Sequence, residues 1–324
     1  MNQVTARVSG KIASNFDLTA SLVTPQDLGS KTTKDKAAKG GTKSSIVREL
    51  SKGFKVNLAS VLKDLGFQAK SLESCAVNLP RAGKLLGLTL VGAPEPGCAR
   101  FDLINYCRKF GASLFEQAKR SKAKKIQIVG ASKEMFEQAP LTALLNGFQL
   151  ASYSFASYKS KQSKASETQF SLTFVTNERK LKIPSSESKH LSQATSLARD
   201  LINTPARDCT PEFLVQHAKS LAKEGKLRFE VFNRKALKKI GANCLLAVAQ
   251  GSALEPFLVK LTYRPPGKAS KIISLAGKGI TFDSGGLCIK NPGGMENMKV
   301  DMSGAAAVLG AMKFISWLKP QVEV

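Results

Sequence analysis

Four residues near the end of the sequence, Lys278, Asp283, Lys290 and Asp301, have the types and spacing to handle a bound cation and a developing negative charge. Hard and borderline divalent ions take carboxylate oxygens, and two-metal sites need several of them converging on ions about 3.5–4 Å apart. Asp283 stands in the run Gly277-Lys278-Gly279-Ile280-Thr281-Phe282-Asp283-Ser284-Gly285-Gly286, whose glycines permit a tight turn and close backbone approach to a ligand. Taken alone, the four residues leave a second reading open. Asp301 would then cap a helix, Asp283 would be a turn residue, and both lysines would be surface groups in a lysine-rich chain.

The neighbouring elements allow the two carboxylates to converge, although in so lysine-rich a chain the turn-and-surface reading stands ahead on these residues alone. Lys271 to Ala276 reads as a short apolar strand that runs straight into the glycine-rich segment, and ligands of α/β sheets sit beyond the carboxyl ends of strands. Asn291-Pro292-Gly293-Gly294 reads as a second turn. Asp301 opens a helix over Ser303 to Leu318 whose small residues allow close packing. Upstream, Leu191, Ala194, Ala198, Leu201 and Ile202 recur at helical spacing, and that helix ends at Asn203-Thr204-Pro205. Thr210 is placed to cap a further helix with Pro211 at its first position. Phe229 and Val231 alternate as in a strand, and Phe257 to Tyr263 reads as another.

The first part of the chain carries no catalytic motif. Leu85 to Val91 reads as a buried strand, and Phe101 to Lys119 as a helix with Leu103, Ile104, Cys107, Phe110 and Leu114 on one face. Lys125 to Gly130 reads as a strand, Pro140 to Tyr158 as a helix, and Gly29 to Ser45 as a loop. This alternation predicts an α/β layer architecture. Pro184 to Ser188 marks a boundary, giving an N-terminal α/β domain over 1–183 and a partial α/β domain over 184–324, with a mixed central sheet flanked by helices.

Composition bounds the rest. The chain is 43% hydrophobic but has no apolar run near the roughly 18 residues of a membrane span. No secretory signal is read at the N-terminus. The six cysteines are scattered, which fits reduced thiols in the cytoplasm. The net charge is +25, from 49 Lys plus Arg against 24 Asp plus Glu. Such a charge can attract nucleic acid. The lysines are widely spread, however, with local runs at Lys31 to Lys43 and Lys119 to Lys125, and arginines are not interleaved with aromatics as in single-strand binders. A solvated surface is the simpler reading.

The segment GKGITFDSGGLCIKNPGGMENMKVDMSGAAAVLGAM closely resembles the signature region of the leucyl aminopeptidase family, the cytosolic two-metal peptidases that include bacterial aminopeptidase A. Asn203-Thr204-Pro205 and Ala247 to Ser252 match the family pattern as well, so the resemblance runs from about Ser188 to Val324; before Ser188 it rests on general layout. The resemblance implies that Asp283 bridges two divalent metals, Mn²⁺ or Zn²⁺. It implies that Lys278, as a neutral amine, and Asp301 bind one of them. Lys290 is then the catalytic ammonium that holds the oxyanion, and Met298 lines the pocket for the substrate's N-terminal side chain. The implied substrates are peptides, the implied location is the cytoplasm, and the family assembles as homo-hexamers.

One departure stands out. The family's second motif, a sequence like Asn-Thr-Asp-Ala-Glu-Gly-Arg, is absent; its Asp and Glu complete the two metals and its Arg holds a bicarbonate. The sequence stops at Lys319-Pro320-Gln321-Val322-Glu323-Val324, a turn followed by the first residues of a strand. The expectation is therefore the N-terminal portion of a metal-dependent aminopeptidase, inactive alone, in which Glu296 is the nearest substitute ligand and otherwise a solvent-facing turn residue. The alternatives are a basic nucleic-acid-binding protein with a vestigial peptidase site and an inert fragment.

Overall fold

The apolar run ending at Val91 lies inside a six-stranded sheet, and its two faces explain why nearly every position is hydrophobic. A computed structural model of the chain describes residues 4–9, 16–23, 46–71, 73–81, 84–93, 99–129, 134–160, 169–176 and 181–324. The expected loop at 29–45 and its lysine run lie outside the described residues. Strands β1 (Val4–Ser9), β2 (Leu18–Val23), β3 (Ser74–Arg81), β4 (Lys84–Gly92), β5 (Lys125–Val129) and β6 (Phe170–Val175) are ordered β1-β6-β5-β2-β4-β3. All neighbours are parallel except the antiparallel edge pair β3–β4.

Side chains alternate across this sheet. Leu88 and Leu90 join one core with α1 (Ile46–Phe54) and α2 (Leu58–Asp64), while Val91 joins another. That second core holds Ile126 and Ile128 of β5 against α3 (Arg100–Arg120) and α4 (Gln138–Ala151). Helices therefore cover both faces, as a largely parallel sheet requires. The predicted face of α3 is largely the observed one: Cys107, Phe110 and Leu114 are buried, and Leu103 and Ile104 are half-buried. The helix predicted to reach Tyr158 ends instead at Ala151. The Ser152 N–H and hydroxyl both turn back to the Gln149 carbonyl, a local bond that competes with another helical turn.

The chain divides into compact units at 1–189 and 190–324. Helix α5 (Ser185–Asn203) starts in the first and continues into the second. The second unit contains α6 (Pro211–Gly225), β7 (Arg228–Phe232), α7 (Arg234–Lys239), α8 (Asn243–Val248), β8 (Leu258–Thr262), α9 (Pro292–Met295) and α10 (Ser303–Leu318). Thr210 caps α6 as expected, its hydroxyl accepting the Phe213 N–H at 3.2 Å. Helix α10 lies against α5 so closely that a Cβ on Gly310 would meet the Ala194 carbonyl oxygen at 2.8 Å. Ala306, Leu309 and Met312 of α10 then share a core with Leu214, Ala218 and Leu221 of α6.

The α/β class is observed, with the mixed sheet in the first unit and an antiparallel β7–β8 pair in the second. One predicted strand is reduced. Of 271–276, only Ile272 makes a bridge, parallel to Glu323, because one rung is all that the segment at 321–324 provides. Cys75, Cys107, Cys209, Cys244 and Cys288 are free thiols. Among the described residues, no helix is long and apolar enough to cross a membrane.

Candidate metal centre

Lys278 reaches its place through backbone contact rather than side-chain packing. The segment 277–279 lies against the first turn of α10, where the Ala305 N–H donates to the Lys278 carbonyl at 2.8 Å. Neither side has room for a side chain. A Cβ on Gly277 would lie 2.5 Å from the Gly304 carbonyl oxygen, and one on Gly304 would lie 2.7 Å from the Lys278 nitrogen. Two glycines facing each other are what this approach demands.

The apposition brings Lys278 to Asp301. The Lys278 ammonium donates to both Asp301 carboxylate oxygens at 2.6 Å. Asp301 belongs to the 3-10 turn Met298–Met302 just ahead of α10. It therefore does not serve as the helix cap considered from the sequence. The position before Ser303 is Met302, which makes no side-chain cap.

Asp283 is fixed by its own loop. Its Oδ1 accepts the Gly285 N–H at 2.9 Å, the local turn that aspartate favours. Gly285 has φ +95, and a Cβ there would strike the Cys288 carbonyl oxygen at 2.3 Å, so the loop can close back on Asp283 only with glycine. The Lys290 N–H donates to the Ser284 carbonyl at 2.9 Å, and the Lys290 ammonium stands 3.3 Å from Asp283 Oδ2. The Asp283 carboxyl is held below the ordinary carboxylate range, first by the Gly285 N–H and next by the Lys290 ammonium. Partial desolvation opposes this, and Lys278 adds a smaller push in the same direction.

Lys278 thus pairs with one carboxylate and is felt by the other. An amine and two carboxylates suit part of the shell of one Mn²⁺- or Zn²⁺-like cation. They do not suffice for two cations. Among the described residues, no group of three or more His, Cys, Asp and Glu side chains converges as a metal site. Glu296 does not complete such a group. It lies exposed just after α9 and lines an open, apolar groove of about 460 Å³ with Phe282, Ile289, Lys290, Pro292 and Met295. Met298 sits half-buried at the start of the 3-10 turn, and the methionine lining this groove is Met295.

Lys299 is a positioning contact that sequence reasoning missed. Its ammonium donates to the Asn203 carbonyl at 3.2 Å and ties the turn carrying Asp301 to the end of α5. The one signal for it was its place between Met298 and Asp301, hidden among so many other lysines.

Residues 196–324 match the catalytic domain of the cytosol aminopeptidase family, and residues 32–162 match that family's N-terminal domain. A probable cytosol aminopeptidase of Nostoc punctiforme is 35% identical over 82% of this chain and 54% of its own length. One from Solibacter usitatus is 37% identical over 79% of this chain and 52% of its own. Among solved structures, a tomato leucine aminopeptidase mutant superposes with TM-score 0.79 at 26% identity, covering 100% of this chain and 61% of that one. The bottromycin maturation enzyme BotP in complex with Mn gives TM-score 0.65 at 26% identity, covering 95% of this chain and 58% of the other. The chain spans about half the length of the curated relatives it matches.

Two expectations follow from this geometry. Gly304→Ala forces α10 away from 277–279 and should lower stability by about 1–3 kcal/mol, the usual cost of overpacking, in chemical denaturation; an unchanged midpoint contradicts the close approach. Lys290→Met should raise the titration of the Asp283 carboxyl, followed by ¹³C NMR. Because the folded value is depressed, the stability linked to Asp283 is fully present above the ordinary carboxylate pKa and is lost as pH falls through the folded value. In the variant that loss should begin at higher pH, and an unmoved titration contradicts the pairing.

Proposed function

This chain belongs to the cytosol aminopeptidase family, and on that footing we propose that it supplies the first part of the active site of a metal-dependent enzyme that removes N-terminal residues, often leucine, from peptides. The observation that carries the reading is the Lys278–Asp301 pair, in which one amine faces both oxygens of one carboxylate with Asp283 close enough to feel it. Lys278, as a neutral amine, Asp283 and Asp301 would hold one divalent cation, Mn²⁺ or Zn²⁺. A second cation would need donors besides these three. When bound, the cations polarise the scissile carbonyl and activate water.

The chain's own residues have separable tasks. Lys290 offers an ammonium to the developing oxyanion, a role in which charge-assisted donors are most effective. Its present partner, Asp283, keeps that ammonium beside the metal ligands until substrate arrives. The apolar groove beside Lys290, together with Met298, receives the substrate's N-terminal side chain. Met1–Lys189 has the layered architecture of a supporting domain and takes no part in the chemistry. The net charge of +25 is the one feature that favours the alternative of nucleic-acid attraction.

Equilibrium dialysis against Mn²⁺ tests the assignment. The chain should bind no more than one ion. Asp283→Ala and Asp301→Ala should each weaken binding by more than about tenfold, a scale on which even outer-shell partners matter. Lys290→Ala should not weaken binding. With leucine p-nitroanilide and Mn²⁺, the chain by itself should turn over no faster than Asp283→Ala. Retained binding in both alanine variants would refute the ligand set, and loss of Mn²⁺ in Lys290→Ala would reverse the roles of the two lysines.

A further inference from the structure

Helix α5 stops at Asn203, two residues ahead of Pro205, which carries no N–H with which to continue the ladder. The carbonyls of its last turn are therefore left for other donors. The Asp200 carbonyl accepts both the Thr204 N–H, at 3.0 Å, and the Thr204 hydroxyl, at 2.7 Å. The Asn203 carbonyl accepts the Lys299 ammonium at 3.2 Å. A cation suits this position, because the negative end of the helix dipole lies there. Lys299 is half-buried, and a charge drawn out of water needs such a partner.

This contact is the last of three between α5 and the stretch 298–318, which run in opposite directions. His190 stacks on Trp317, with ring centroids 4.5 Å apart and planes 14° from parallel. Gly310 lies against the Ala194 carbonyl. Lys299 then meets Asn203. The first two contacts hold the body of α10, and the third holds the 3-10 turn Met298–Met302 ahead of it. Asp301 stands in that turn between Lys299 and Met302. Met302 is fully buried, in the core that also holds Leu201 of α5. One anchor on each side fixes the direction in which the Asp301 carboxylate leaves the backbone.

We propose that the Asn203-Thr204-Pro205 terminus of α5 is a socket for Lys299, and that Lys299 sets the affinity of the cation site by positioning Asp301. Its ammonium bonds to α5 rather than to Asp301, so it is a positioning residue and not a ligand. The inference rests on the aminopeptidase reading for the cation, whereas the placing of Asp301 is a property of the chain itself. Charge alone works in the other direction. An ammonium near a bound cation repels it, so loss of Lys299 would strengthen binding if its field mattered more than its grip on the turn. The two effects have opposite signs and can be told apart by affinity.

The test compares three variants of the full chain. Lys299→Met removes the donor and keeps most of the side chain's length. Lys299→Arg keeps both charge and donor. Lys268→Met removes a charge at an exposed position and controls for net charge. In the metal-free chain, ¹³C spectra of the aspartate carboxyls, assigned with Asp301→Asn, should show the Asp301 resonance displaced in Lys299→Met and the Asp283 resonance in place. In equilibrium dialysis Lys299→Met should bind Mn²⁺ about tenfold more weakly, the scale of losing an outer-shell partner. Lys299→Arg should recover most of that affinity, and Lys268→Met should lose none. Circular dichroism should show every variant folded. An unmoved Asp301 resonance in Lys299→Met, or Mn²⁺ binding as tight as in the unaltered chain or tighter, overturns the positioning role. A displaced Asp301 resonance in a chain that binds no Mn²⁺ even when unaltered upholds the placing of Asp301 by Lys299 and overturns the aminopeptidase reading.

Discussion

The contact between Gly277 and Gly304, closed by the Ala305 N–H on the Lys278 carbonyl, is the constraint from which the rest of the site follows. It sets an extended segment directly on a helix with no side chain between them. Backbone-to-backbone contact leaves little slack, so the Lys278 side chain starts from a defined point. Asp301 starts from another, because its turn leads into the same helix and is tied through Lys299 to the end of α5. The helix is in turn pressed onto α5 at Gly310 and packed on α6. The α5–α6–α10 core is thereby coupled, through glycines and one hydrogen bond, to the position of an amine and a carboxylate.

The two lysine–aspartate pairs have little to do with holding the fold together. Lys278 is 55% exposed and Lys290 33%. Ion pairs that open to water contribute little stability. Their significance lies in what they keep in place. Asp283 is oriented by the Gly285 N–H and paired with Lys290, and Asp301 accepts two bonds from one amine. These are groups a cation could take over with small movement, which is how preorganised sites avoid reorganisation when the ligand arrives.

What could be read from the sequence depended on how local the cause was. The Thr210 cap and the apolar face of α3 each arise from residues a few positions apart, and both were legible; β7 formed where expected, but its Val231 is exposed and Glu230 half-buried. The end of α4 was not, because the Ser152 hydroxyl and the helix ladder compete for one carbonyl and composition does not decide between them. The strand at 271–276 was expected from apolar content, yet a strand is a property of a pair, and its neighbour offers one rung. In the site, the order of Lys278, Asp283, Lys290 and Asp301 pointed to convergence, but the partner of each lysine did not follow from spacing. Lys299 escaped notice because its contact is a main-chain carbonyl at Asn203, a group that every residue carries. Met295 lines the groove for a similar reason: only the fold of the 283–296 loop brings it there.

The central claim is that the Lys278–Asp301 pair is the resting form of a metal shell in which the amine becomes a ligand. A lysine can bind a cation only after losing its proton, so binding must release that proton. Mn²⁺ titration calorimetry near neutral pH, repeated in buffers of different ionisation enthalpy, counts protons released per ion bound. The chain should release about one proton more than Lys278→Met, and the variant should bind more weakly. Equal proton counts with equal affinity would contradict it, leaving Lys278 and Asp301 as a surface ion pair and nothing more.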